Sequence, residues 1–126
     1  MSLETPLHRV EGLGSSHSGV SHFWRERVSG AALIPLGIWF AVSILGLAGG
    51  HYVSVLTFFS RPLNGILMAA FVVISLYHLV LGLQMVIDDY VHSPGGKVVL
   101  MLAARAFALA CGALSLYALL EIARVF

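Results

Sequence analysis

The chain has 126 residues, 59% of them hydrophobic and 10% charged, with a formal net charge of +1. A water-soluble domain carries about 25% charged residues, and so short a chain has too little interior to hide this much apolar surface from water. These figures exclude a soluble catalytic domain and, with no clustered basic face, a nucleic-acid binder; the single Cys111 excludes an internal disulfide or a cysteine-ligated metal centre within the chain.

Residues 1–27 are polar and hold no apolar h-region, so they read as a cytoplasmic or interfacial segment rather than a cleaved secretory signal. No charged side chain occurs between Arg27 and Arg61, nor between Arg61 and Asp88. A bilayer span needs about 20 mostly apolar residues. A first helix is therefore expected over about 28–47, followed by an exposed turn at Gly49, Gly50 and His51. Pro35 falls inside this helix, which a membrane protein tolerates when neighbouring helices satisfy the freed carbonyl. A second helix is expected over about 64–87 and a third over about 98–120, interrupted only by Arg105, with a short tail at 121–126. Ser60-Arg61-Pro62 and His92-Ser93-Pro94-Gly95-Gly96 read as turn-like connections. The expected fold is an all-α integral membrane protein of three transmembrane helices, with the lipid bilayer as solvent.

Positive charge sets the topology. Arg9, Arg25, Arg27 and Lys97 lie on one side, against Arg61 and Arg124 on the other. The positive-inside rule then places the N-terminus and the second loop in the cytoplasm, or in the matrix of a mitochondrion.

Polar groups inside a span are costly, so each asks for a reason. His78 sits well inside the second helix, where a neutral imidazole is either an axial haem ligand or a partner for a neighbouring helix. Gly82, one turn on, lies on the same face and leaves room for a flat macrocycle against the backbone. Asp89 follows His78 by eleven residues, three turns or about 16 Å along one stripe of the helix. Tyr90 beside it carries a phenol that can donate a hydrogen bond. A carboxylate and a phenol at the interface suit a quinone head group, whose carbonyls need donors and whose reduction consumes protons. They equally suit an interfacial anchor and a helix end in water. Arg105, about 12 Å into the third helix from Lys97, is expected to snorkel to the surface; pairing with a haem propionate or a lipid phosphate is the alternative. His22 and Trp24 fit an interfacial segment touching a soluble partner. His8, His17, His51 and His92 have no ligand-like spacing, and Trp39, Phe40, Phe58, Phe59 and Phe71 read as helix packing or lipid contact.

The pattern His78-xxx-Gly82-xxxxxx-Asp89-Tyr90 resembles the second-helix motif of the small, D-type membrane-anchor subunits of succinate dehydrogenase, respiratory complex II. The approach segment Gly14-Ser15 … Gly19 … His22-Phe23-Trp24 … Arg27-Val28-Ser29-Gly30 … Leu33 is similar to that of the alpha-proteobacterial type. The resemblance implies half of a haem-containing helix bundle, shared with a partner anchor. In it His78 supplies one axial ligand of haem b, and the second anchor (cytochrome b) subunit supplies the other. Arg27 faces the haem propionates, Gly82 packs the haem, and Tyr90 with Asp89 belongs to the ubiquinone site. Asp88, before the Asp-Tyr pair, leaves open which aspartate faces the quinone.

The chain carries no flavin fingerprint and no cysteine set for iron–sulfur clusters. Succinate oxidation would thus belong to a flavoprotein and an iron–sulfur partner, and this chain would not be an enzyme by itself. The expected function is anchorage and electron transfer to ubiquinone within succinate:ubiquinone oxidoreductase. A fumarate reductase anchor and a haem-free helix bundle for assembly or transport are the competing readings. The polar start, without an Arg- and Ser-rich amphipathic leader, favours a bacterial inner membrane over a mitochondrial one.

Overall fold

In the computed structural model of the protein, residue 5 and residues 18–125 are described. Arg9, His8, His17 and the Gly14-Ser15 part of the approach segment lie outside the described residues, as does residue 126.

The described chain forms helices and no strands: α1 (Ser18–Leu47), α2 (Tyr52–Ser60), α3 (Pro62–Tyr90) and α4 (Pro94–Val125). Three of them, α1, α3 and α4, are long and apolar enough to cross a membrane, with mean hydropathies of 2.0, 2.4 and 2.0. Each runs past the apolar stretch that marks it in the sequence. Charges delimit the hydrocarbon layer, but they do not stop a helix, and side chains one turn apart can support it outside that layer. At the start of α1, Arg25 donates from Nε to the Ser21 carbonyl and from Nη2 to the Ser21 hydroxyl, both at 3.1 Å. Arg27 adds a cation–π contact, its guanidinium carbon 5.0 Å from the centre of the Phe23 ring. The prolines expected in turns instead open helices. Pro62 and Pro94 are the first residues of α3 and α4, where a missing N–H costs nothing and the fixed φ suits the helix. Pro35 sits within α1 and the helix continues through it.

Between α1 and α3 the chain inserts α2, a helix that charge counting does not reveal. Its nine residues span about 13.5 Å, less than half of a hydrocarbon core about 30 Å thick. Gly49, at φ +83°, makes the turn that precedes it, and the Gly50 N–H returns to the Leu47 carbonyl at 3.0 Å. Phe58 carries α2 back onto α1 by stacking on Trp39, 6.5 Å between ring centres. Phe59 is buried.

α3 is the central element, packed against α1, α2 and α4. Phe40 of α1 stacks on Phe71 of α3 at 4.7 Å. Gly112 of α4 lies so close to α3 that a Cβ there would stand 3.3 Å from Leu76 Cδ1, the small-residue approach common between membrane helices. Burial is sparse. Among the described residues only Phe59, Leu81, Ile87 and Ala108 are buried apolar side chains, none fully, and Ser29 is the one buried polar residue.

Gly49 occupies a conformation that costs a side chain about 1–2 kcal/mol. Gly49→Val should therefore lower the thermal unfolding midpoint of the detergent-solubilised protein, measured by intrinsic fluorescence. Gly37→Ala, where a Cβ meets nothing, should leave the midpoint unchanged or raise it; equal effects would remove the strained turn as the cause.

Candidate functional site

The site begins with the one buried polar residue. Ser29 of α1 faces α3, and its Oγ lies 2.9 Å from His78 Nδ1. The same hydroxyl donates to the Glu26 carbonyl one turn back at 3.0 Å, a bond that helical serines commonly form. A hydroxyl has one proton. With that proton on Glu26, Oγ accepts from an N–H at Nδ1 of His78; with it on Nδ1, the imidazole accepts instead. His78 Nε2 makes no hydrogen bond among the described residues.

Gly30 completes the contact. A Cβ on Gly30 would come within 3.3 Å of His78 Cε1, so the missing side chain lets the imidazole lie against the α1 backbone. The Ser29-Gly30 pair thus supplies one residue to orient the ring and one to make room for it. At Gly82, four residues after His78, a Cβ would meet nothing within 4 Å. The space beside this turn of α3 is open, which fits a flat macrocycle lying against the helix. Arg27 precedes Gly30 by three residues, about 4.5 Å along α1. It is exposed, and its guanidinium stacks on Phe23.

Asp89 and Tyr90 close α3 at the end where α1 begins. Because α3 is unbroken from Pro62 to Tyr90, His78 and Asp89 stand about 16 Å apart along it. The two aspartates differ. Asp88 accepts Lys97 Nζ on its backbone carbonyl at 3.0 Å and faces the same ammonium with its carboxylate at 3.6 Å. Asp89 has no cationic partner among the described residues. Both aspartates line an open pocket of about 430 Å³ between the start of α1 and the end of α3, together with His22, Arg25, Glu26 and Gln84. Tyr90 is 79% exposed, a phenol free to meet something from outside the chain. No group of three or more His, Cys, Asp or Glu side chains that could hold a metal ion occurs among the described residues.

The structure therefore brings His78 and Ser29 together and leaves Arg27, Asp89 and Tyr90 standing separately around the same end of α1 and α3. Sequence reasoning passes over Ser29 and Gly30 as parts of a motif without roles; a serine followed by a glycine at the edge of an apolar helix was the available signal. It also places His22 in a segment touching a soluble partner. Here His22 Nε2 is buried without a hydrogen-bond partner, alone in this among the described residues, on the lining of the pocket beside Asp89.

Comparison with known proteins adds a family. Residues 1–113 match the family described as succinate dehydrogenase/fumarate reductase transmembrane subunit. Among curated proteins, the succinate dehydrogenase hydrophobic membrane anchor subunit of Paracoccus denitrificans is 36% identical over 86 residues, covering 68% of this chain and 67% of that one. The protein of the same description from Rickettsia bellii is 28% identical over 101 residues, 80% and 81% of the two chains. That from Rickettsia typhi is 33% identical over 78 residues, 62% of each chain. No solved structure gives a significant match. With three helices long and apolar enough to cross a membrane and a family match that reaches from residue 1 into α4, the chain belongs to the transmembrane subunits of the succinate dehydrogenase/fumarate reductase family.

Proposed function

We propose that this chain is the membrane anchor of a bacterial succinate:ubiquinone oxidoreductase, contributing half of a haem b pocket and part of a quinone site. The observation that carries the reading is the Ser29–His78 bond through Nδ1, which leaves Nε2 without a hydrogen bond among the described residues; with Nδ1 as the donor, Nε2 keeps a lone pair for a metal. A histidine serving only to join two helices would end its duties at Ser29. A metal-binding imidazole has this arrangement, its second nitrogen donating to a fixed acceptor that sets the ring and raises its basicity.

Haem bound here supplies a reversible one-electron store inside the membrane. His78 would hold its iron, with a further ligand coming from a partner anchor subunit. Arg27 would take a propionate in a bidentate, charge-assisted pair, turning from Phe23 to do so. At the outer end of the same helix, Tyr90 donates to a ubiquinone carbonyl. Asp89, with no ion pair to Lys97, stands beside it. Flavoprotein and iron–sulfur partners would deliver the electrons, the iron–sulfur subunit docking on the end that carries Arg25, Arg27 and Lys97. By the positive-inside rule that end faces the cytoplasm of a bacterial inner membrane.

A fumarate reductase anchor would use the same residues, because the direction of electron flow resides in the partners and the quinone. The relatives named above are succinate dehydrogenase subunits, which favours the oxidative direction.

Three variants of the purified complex test the reading. His78→Ala should abolish or shift the b-type signal in a reduced-minus-oxidised spectrum; an unchanged spectrum removes His78 as ligand. Ser29→Ala should weaken haem retention by about tenfold to a hundredfold and raise the haem midpoint potential, because the imidazole loses its acceptor and becomes a poorer donor. Ser29→Thr keeps the hydroxyl and should restore both, while a Ser29→Ala complex with wild-type retention and potential would leave the bond merely structural. Tyr90→Phe should lower quinone reduction about tenfold, the worth of one hydrogen bond, while succinate oxidation by a soluble artificial acceptor survives. Equal loss of both activities would assign Tyr90 to assembly.

A further inference from the structure

Arg105 lies apart from this site and has no task in it. It is the one charged residue of α4 between Lys97 and Glu121, eight residues and about 12 Å further into the span than Lys97. A cation at such depth is costly unless it reaches water or an anion. Lys97 is occupied by Asp88, whereas Arg105 has no hydrogen bond or ion pair among the described residues.

Two depressions on the α3–α4 surface meet at Arg105. Towards Lys97, one of about 320 Å³ is bordered by Gln84, Val98 and Leu102. Away from it, an apolar groove of about 520 Å³ runs between Val73, Leu76 and Val80 of α3 and Leu109, Gly112 and Leu116 of α4. Neither contains a carboxylate. The depression towards Lys97 mixes Val98, Met101 and Leu102 with Gln84 and the two cations, the other groove is almost wholly hydrocarbon, and Arg105 lines both. From Arg105 to Leu116 the groove extends eleven residues, about 16 Å. One leaflet of a hydrocarbon core about 30 Å thick is roughly 15 Å deep. The groove is therefore about as long as one acyl chain running on from a head group held at Arg105.

We propose that this surface binds one anionic phospholipid, its phosphate on Arg105 and an acyl chain along the α3–α4 groove. A guanidinium pairs with phosphate through two parallel N–H donors, and the Gln84 amide is a further donor on the same lining. Snorkelling and lipid binding are then one event, since the side chain rises towards the head groups and meets a phosphate there.

The protein purified with whatever subunits accompany it, stripped of lipid by prolonged detergent washing, is titrated with dioleoyl phosphatidylglycerol or dioleoyl phosphatidylcholine and read by native mass spectrometry. The wild type should retain one phosphatidylglycerol per copy of this chain, with at least a tenfold preference over phosphatidylcholine. Arg105→Ala should lower phosphatidylglycerol binding about tenfold, to the phosphatidylcholine level, and Arg105→Lys should recover part of it. Ala113→Phe, which fills the groove and leaves the cation in place, should weaken both lipids together. Equal wild-type affinity for the two lipids overturns the proposal, whatever the variants do. Unchanged phosphatidylglycerol binding in Arg105→Ala overturns it as well. Loss of a partner subunit from that variant with its lipid intact would mean that the guanidinium meets a protein carboxylate instead.

Discussion

An imidazole inside a membrane helix has two nitrogens and no water to satisfy them, and in this protein Ser29 satisfies one only. Much of the functional architecture follows from that single contact. It ties α1 to α3 at a defined register and spends the only buried polar side chain of the described chain. The same hydroxyl reaches the Glu26 carbonyl, and the imidazole keeps Nε2 without a hydrogen bond among the described residues. Gly30 is the steric half of the same device, making room for the ring against α1.

The central helix converts this into a measured distance between two environments. α3 has 29 residues, about 43 Å of helix, well over the roughly 30 Å of hydrocarbon it must cross. Its surplus carries Asp89 and Tyr90 beyond the apolar layer while His78 remains within it. One rigid element therefore holds the imidazole and, on nearly the same stripe, the Asp89 carboxylate, with the exposed Tyr90 phenol beside it. Lys97, reaching back from α4 to Asp88, distinguishes two adjacent carboxyls that composition alone treats as equals.

The three spans are legible in the sequence because hydrocarbon imposes its demand on every residue of a crossing. The uncharged intervals around Arg61 and beyond Lys97 leave few alternatives. The ends of the helices are less legible. Charge marks where lipid stops, and Arg25 bonding to Ser21 supports a helix outside it. α2 escapes for a related reason: Tyr52–Ser60 is apolar enough to extend the first span and too short to be a span itself. At the site, His78 announces itself as a costly residue in an apolar run. Ser29 does not, since a serine at the edge of a helix is unremarkable until tertiary structure puts a histidine 2.9 Å away. The distinction between Asp88 and Asp89 likewise depends on where Lys97 falls after a turn.

The scarcity of buried side chains bears on how such a chain can diverge. Four modestly buried apolar residues constrain very little of the sequence. Across the rest of the surface, leucine, isoleucine, valine and phenylalanine meet acyl tails that are as apolar as they are, so one replaces another at small cost. Selection then acts on shape through a few points: the glycine at the turn, the small residues where helices touch, the serine–histidine contact. Between those points mutations can accumulate almost freely, and proteins of this architecture will drift apart in letters long before they drift apart in form.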